Sequence, residues 1–255
     1  MTFLKWDFLH KKVHDMKHIL LEKTVHQVRK TLRRKHTLST RSIGLPETFW
    51  APGQTLGVSF RGAPEESLKQ AIMSAATQWL DHANLTFELR EDNDSSAEIY
   101  IETDAPETLN QSNYGKYRPD PDDETMTLGI KPGHPRFELT VLHEFGHALG
   151  LYHEHQHPEA NIPWDLDAVR EYVAAKFTQE EREDPAFAET LERLIRQNYL
   201  PITYETIITL RYDKESIMHY AIDQSLTLTD WSSDWNFQLS DKDKQFISMI
   251  YPIPE

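Results

Sequence analysis

One stretch constrains this chain of 255 residues more than any other, and it runs from His143 to Glu154. His143 and His147 are four residues apart, so on a helix both imidazoles project from one face. Such a pair supplies two ligands of a zinc site, with nitrogen–zinc distances of about 2.0–2.1 Å. Gly150 permits the positive φ of a helix C-terminus, and the turn returns His153 as a third ligand. Three neutral imidazoles leave the fourth metal position open, which is typical of a catalytic zinc.

Glu144 adds a base to this set of ligands. It follows the first histidine by one residue, about 100° round the helix axis, so its carboxylate reaches a water on the metal without taking a metal position. Five fixed residues (His, Glu, His, Gly, His) at set spacing match by chance in about one in ten thousand chains of this length. A histidine-rich helix end that binds no metal is therefore strongly disfavoured.

The stretch resembles the zinc signature of the metzincin clan, HExxHxxGxxH, and Glu154 after the third histidine is the astacin-type extension. About 65 residues further on, residues 216–220 are Ser-Ile-Met-His-Tyr, which is similar to the astacin Met-turn SxMHY. In that family the methionine packs beneath the zinc and the tyrosine is a further, displaceable zinc ligand. The resemblance therefore implies that Met218 is the floor of the site and Tyr220 the mobile tyrosine. It covers residues 47–251, closely in the two motifs and thinly between them.

An α+β fold follows from this resemblance: a metzincin-like catalytic domain with a small mixed sheet, a zinc helix and a Met-turn. The implied activity is that of a zinc-dependent, astacin-like endopeptidase that hydrolyses protein or peptide bonds with one catalytic Zn²⁺. Its metal ligands would be His143, His147 and His153. Glu144 would be the general base for a zinc-activated water, and Tyr220 would donate a hydrogen bond to the developing oxyanion.

Alternation of apolar and polar residues predicts strands, and the predicted strands are residues 55–60, 85–89, 97–102 and 125–130. A buried stripe at helical spacing predicts a helix after Pro64, and residues 136–150 are predicted to form the zinc helix. Residues 110–123 are rich in Tyr, Asn, Gly, Pro and Asp, which predicts a surface loop. In the resembled family the last strand before the zinc helix borders the cleft and pairs with extended substrate. By its order in the chain, that strand is residues 125–130.

Three further helical stretches are predicted downstream, and they are residues 165–177, 179–199 and 240–251. Asp165 and Ser240 are placed as N-caps of the first and the last of these, because their side chains accept hydrogen bonds from the first helical turn. His155 and His157 closely follow the third ligand. The family pattern gives them no metal role, so we expect loop residues there.

Charge divides the chain into two parts. The formal net charge is −14, yet residues 1–41 hold 11 Lys and Arg against 3 Asp and Glu, a net +8, which leaves −22 for the remainder. Apolar residues at helical spacing from Trp6 to Leu32 predict a long amphipathic basic helix. We therefore expect a basic helical extension with its linker, residues 1–44, and a zinc metalloprotease catalytic domain, residues 45–255.

Three interpretations of the basic arm are open. It docks on its own acidic catalytic domain, as a pro-segment would, or it binds an anionic membrane or another partner. As a third possibility it is a targeting peptide, although its acidic residues and few serines argue against a transit peptide. The strongly acidic remainder repels phosphates, so no nucleic-acid partner is expected.

Several absences bear on compartment and class. The chain has no cysteine, unlike animal astacins, so it needs no oxidising compartment. No apolar run is long enough for a transmembrane helix and no secretory signal is visible, which favours a cytoplasmic protein or export by a non-standard route. A zinc-binding module that recognises peptides without turnover is the main alternative to an enzyme. Such a module would lack the base, and Glu144 is present.

Overall fold

The computed structural model describes residues 44–121, 123–203 and 208–254. The predicted basic helix and most of the linker lie outside these ranges, so the division of the chain at residues 44 and 45 stays a prediction. In the part of the chain that is described, no helix combines the length and apolarity needed to cross a bilayer.

The centre of the fold is a five-stranded mixed sheet. Its strands are β1 (Thr55–Phe60), β2 (Thr86–Leu89), β3 (Ile99–Glu102), β4 (Asn110–Ser112) and β5 (Met126–Leu128). The spatial order is β2-β1-β3-β5-β4, and of these strands β4 alone runs antiparallel to its neighbour. β1 is buried along nearly its whole length, as expected for a parallel strand covered on both faces. The predicted strands are confirmed, and β1 has the predicted bounds.

Two helices pack beside the sheet. They are α1 (Glu66–Ala76) and α2 (Phe137–Ala148), which pack against each other, and α2 also contacts β4 and β5. Trp79 lies in the short 3-10 helix after α1, is fully buried, and donates its Nε1–H to the Leu142 carbonyl at 3.0 Å. This contact fixes α1 against the helix that carries His143 and His147.

The predicted loop over residues 110–123 is wrong at its start, where β4 pairs with β5. Asn110 is almost fully buried. Its side-chain oxygen accepts from the Ile130 amide at 3.0 Å, and its side-chain nitrogen donates to the Glu107 carbonyl at 3.0 Å. A strand of three residues held by amide contacts has no apolar alternation, so sequence periodicity does not detect it.

The edge of the sheet also differs from the prediction. Residues 125–130 contain β5, which lies between β3 and β4 and is therefore an interior strand. β4 precedes β5 in the chain but lies outside it, beside α2. The order of the strands in the chain pointed to β5 as the strand at the cleft. It did so wrongly, because the segment before β5 forms β4, which pairs antiparallel with β5 on its outer side.

The C-terminal half is helical and irregular. Its helices are α3 (Leu166–Ala174), α4 (Gln179–Glu183), α5 (Phe187–Asn198) and α6 (Asp241–Ile250). The predicted single stretch over residues 179–199 is two helices, because Asp184 precedes Pro185 and adopts the extended backbone that this position favours. Both predicted caps are confirmed: Asp165 accepts from two amides of α3, and Ser240 forms a capping box with Asp243 at the start of α6.

Candidate active site

Two of the predicted ligands lie on α2 one turn apart. The ring centroids of His143 and His147 are 4.7 Å apart, and both residues are buried. After α2 the chain reverses at Gly150, where φ is +93° and the amide donates to the His147 carbonyl at 2.8 Å. A side chain at this position would collide with the ring of Phe49, so glycine is required for both its backbone angle and its size. The reversal returns His153 to the helix.

The three histidines converge. One ligating atom of each lies within 4.8 Å of the others, and the Nε2 atoms of His147 and His153 are 3.0 Å apart. Two nitrogens bound to one tetrahedral zinc are about 3.3 Å apart, given zinc–nitrogen distances of about 2.0–2.1 Å. In the part of the chain that the structure describes, this is the one cluster of three such groups. A buried set of neutral imidazoles at this spacing fits Zn²⁺.

Backbone carbonyls orient two of these rings. His143 Nδ1 lies 2.9 Å from the Ile217 carbonyl, and His147 Nδ1 lies 2.7 Å from the Leu151 carbonyl. A carbonyl only accepts, so each Nδ1 carries the proton and each Nε2 keeps its lone pair for a metal. The fold thus selects the tautomer that binds zinc through Nε2.

Glu144 is on α2 beside the first ligand and has only 4% of its surface exposed. Burial raises the pKa of both Tyr114 and Tyr220, and the negative charge of Glu144 raises it further. Glu144 is therefore close to both tyrosines. The three-histidine cluster does not include Glu144. The carboxylate therefore lies on the same helix as His143 and His147 but outside the cluster of three histidines, and its role as the general base stays a prediction.

The Met-turn, residues 216–220, packs under this centre. Met218 is buried, and its sulfur lies so close to Gly146 that a Cβ there would collide with it. The Met218 carbonyl accepts from the Glu154 amide at 3.0 Å, which ties the turn to the segment after the third ligand. Met218 thus packs against α2 at the glycine between the two helical histidines, which makes room for it, and its role as the floor of a metal site stays a prediction.

Tyr220 lies against the ligands at the end of the same turn. Its ring centroid is 4.1 Å from that of His153 and 5.7 Å from that of His143. Burial raises the pKa of Tyr220 well above its usual value, and the nearby Tyr114 and Glu144 act in the same direction. The phenol therefore lies beside two of the three clustered histidines in a buried environment.

Sequence reasoning missed two residues at this site. His155 was predicted to be a loop residue, but it is buried, its ring stacks on Tyr220 at 4.5 Å, and its Nε2 lies 2.7 Å from the Asn198 carbonyl. Burial lowers its pKa to about 3, so it stays neutral. Tyr114, in the predicted loop, meets His147 edge-on at 4.9 Å. Closeness to the third ligand was the one sequence signal for His155, and Tyr114 gave none.

The carboxylates of Glu154 and Asp213 connect the segment after His153 to the rest of the fold. Glu154 Oε1 accepts from the Asp213 amide at 2.8 Å, and burial raises the pKa of Glu154 to about 8. Asp213 Oδ2 in turn accepts from the Ser240 hydroxyl at 2.6 Å. These contacts link the segment after the third ligand to the start of α6.

Zinc peptidases of the metzincin type are the class of protein in which this fold and this kind of metal centre occur together. Comparison with protein families matches residues 42–232 to the peptidase family Astacin. The chain therefore belongs to the astacin family of zinc metalloendopeptidases, whose substrates are proteins or peptides.

Solved structures agree with this assignment. A structure of myroilysin is 29% identical, covers 84% of this chain and 100% of its own, and has a TM-score of 0.70. A crystal structure of myroilysin is 31% identical over 82% of this chain and 87% of its own, with a TM-score of 0.59. High choriolytic enzyme 1, a hatching enzyme zinc-protease from the medaka fish Oryzias latipes, shares the fold at 16% identity over 84% of this chain and 98% of its own, with a TM-score of 0.52. The comparison with curated proteins gave no significant match.

Proposed function

We propose that His143, His147 and His153 hold the catalytic zinc of this endopeptidase and that Glu144 is its general base. The observation that carries the proposal is the convergence of the three ligating nitrogens within 4.8 Å in a chain of the astacin family. When bound, zinc lowers the pKa of a coordinated water to about 7 and polarises the scissile carbonyl. The remaining steps depend on side chains of the chain itself.

Glu144 takes a proton from the attacking water and delivers it to the leaving nitrogen. Its burial supports this role, because a carboxylate removed from bulk water interacts more strongly with a nearby water than an exposed one does. Tyr220 donates a hydrogen bond to the oxygen on which negative charge develops. Its ring lies 4.1 Å from that of His153, so the phenol is beside the cluster of histidines.

The substrate pairs with the edge strand β4 rather than with β5. Two hydrogen bonds flank the paired strands: the Leu109 carbonyl accepts from the Gly129 amide at 3.0 Å, and the Asn113 amide donates to the Thr125 carbonyl at 2.8 Å. Antiparallel pairing alternates, so the backbone groups of Asn110 and Ser112 point away from β5. An extended peptide can add to such an edge through main-chain bonds that do not depend on its sequence.

Metal removal tests the reaction and separates it from a peptide-binding module without turnover. We expect casein cleavage by the full chain to stop when a chelator removes one zinc per chain, and to return when Zn²⁺ is added back. Zinc content and cleavage are measured on the same samples. Full cleavage by metal-free protein would contradict the proposal, and a stoichiometric zinc content without cleavage by either the full chain or residues 42–255 would support the binding module.

We also propose that the basic arm up to Arg41 docks on the acidic catalytic domain and restrains it. The support is the charge difference of the two parts, +8 against −22. Astacin pro-segments usually block zinc with an aspartate in a short FxGD motif, which this arm lacks, so the restraint is electrostatic or steric. Salt weakens it, because exposed charges are screened beyond about 10 Å at 0.1 M ionic strength.

Removal of the arm tests this restraint. We expect residues 42–255 to show a higher kcat/KM than the full chain on one fluorogenic peptide at low salt, and the difference to narrow at high salt. Circular dichroism and thermal melting establish that both forms are folded. Equal activity of two folded forms would contradict the restraint, and an insoluble truncated form would show that the arm belongs to the fold.

A further inference from the structure

Asp243 forms more contacts than a helix cap requires. It is the acidic member of the capping box at the start of α6, where its Oδ2 accepts from the Ser240 amide at 2.9 Å. The same carboxylate accepts from the Ser216 hydroxyl at 2.6 Å and from the Ile217 amide at 2.8 Å. Only 4% of its surface is exposed. Two of its three contacts are therefore to the Met-turn.

The capping box of α4 offers a comparison. There Glu181 accepts from the amide and the hydroxyl of Thr178, at 2.8 and 3.1 Å, at an exposed position. Burial of a carboxylate is costly and is offset only by good hydrogen bonds. Burial raises the pKa of Asp243, and its bonds from Ser216, Ile217 and Ser240 lower it. Its surroundings thus supply three donors to one buried charge.

The contacts continue to a metal ligand. The Ser216 hydroxyl, which donates to Asp243, accepts from the Met218 amide at 3.0 Å. That amide belongs to the same peptide group as the Ile217 carbonyl, which accepts from His143 Nδ1 at 2.9 Å. Carboxylate, hydroxyl, peptide group and imidazole therefore form one chain of hydrogen bonds, with each donor pointing towards Asp243. Bonds aligned in this way polarise one another.

We infer that Asp243 is a positioning residue for the zinc ligand His143 and acts through the Ser216 hydroxyl and the Ile217–Met218 peptide group. The inference rests on the proposed zinc site. The chain orients the imidazole and keeps its proton on Nδ1, and the distant carboxylate makes Nε2 a better electron donor. Metal-binding histidines commonly have a carboxylate or carbonyl partner, and loss of such partners typically costs about 10–100-fold in metal affinity.

Zinc affinity tests the inference without depending on turnover. In the full chain we expect Asp243→Asn to raise the zinc Kd about 10–100-fold. The asparagine side chain keeps the shape of aspartate, but its NH₂ group puts a donor in place of one of the two acceptor oxygens. Ser216→Ala, which removes the hydroxyl link and leaves the carboxylate in place, should raise the Kd in the same direction. Competition with a chromophoric chelator measures the Kd, and the visible spectrum of the Co²⁺-loaded variants reports the ligand field.

Asp241→Asn is the matched control. Asp241 lies in the first turn of the same helix, and its exposed carboxylate pairs with Lys244 at 3.5 Å, so the variant removes a carboxylate two positions from Asp243 and leaves the bonds of Asp243 to Ser216 and Ile217 in place. We expect it to leave the zinc Kd and the Co²⁺ spectrum unchanged.

The inference is overturned if Asp243→Asn and Ser216→Ala bind zinc within about twofold of the parent with unchanged Co²⁺ spectra. It is equally overturned if Asp241→Asn weakens zinc binding as much as they do. If Asp243→Asn does not fold, Ser216→Ala decides the matter against the same control. A parent chain that binds no zinc would contradict the proposed metal site itself, a result that cannot be confused with an effect confined to the variants.

Discussion

Replacing Glu144 by alanine is expected to leave about one zinc per chain in place while peptide-bond hydrolysis falls by at least about 10²–10⁴-fold, the usual contribution of a general base. The proposed metal ligands are the nitrogens of three histidines, and Glu144 is not one of them. We therefore expect the metal site to survive the loss of this carboxylate. The attacking water, however, loses the group that accepts its proton. We would measure kcat/KM on a fluorogenic peptide and zinc by atomic absorption on the same preparation.

Glu138→Ala is a suitable control for this variant. Glu138 lies in the first turn of α2, where its carboxylate accepts an exposed hydrogen bond from Gln78 at 2.7 Å. The variant therefore removes a carboxylate from the same helix at an exposed position. We expect near-parental turnover from it. Near-parental turnover from Glu144→Ala as well would mean that another group acts as the base, and loss of zinc would mean that Glu144 supports the ligands.

The geometry of residues 143–153 could be predicted from sequence because it is local. His143 and His147 are one turn apart on α2, and Gly150 adopts a positive φ that glycine tolerates because it has no side chain. β1 was predicted with its bounds because alternation of apolar residues directly reflects a strand. These parts needed no knowledge of how distant segments meet.

Contacts between distant segments could not be predicted in this way. The partners of Asp243 lie 26 and 27 positions away, and His143 meets the Ile217 carbonyl across 74 positions. β4 was missed because Asn110 is held by amide hydrogen bonds, which no hydrophobic pattern encodes. His155 looked like a loop residue because its stacking on Tyr220 joins two motifs that are far apart in the chain.

Replacing Tyr220 by phenylalanine is expected to lower kcat by about 10²–10³-fold, the typical cost of one oxyanion donor, with a much smaller rise in KM. The ring contacts with His153 and His155 need only the aromatic face, so phenylalanine keeps the packing. The phenol hydroxyl, the proposed hydrogen-bond donor, is what the variant lacks. Because the hydrogen bond forms to charge that develops in the transition state, the loss appears in kcat.

Tyr172→Phe is the matched control, since it removes the hydroxyl of a half-buried tyrosine in the separate cluster around α3 and α5, where burial likewise raises the pKa to about 12. It should leave kcat near the parental value. A change confined to KM in Tyr220→Phe would rule out the oxyanion role, because substrate and transition state would then be bound equally well by the hydroxyl. A large fall in zinc content would instead show that the phenol acts chiefly as a metal ligand, so zinc is measured on every sample alongside the kinetics.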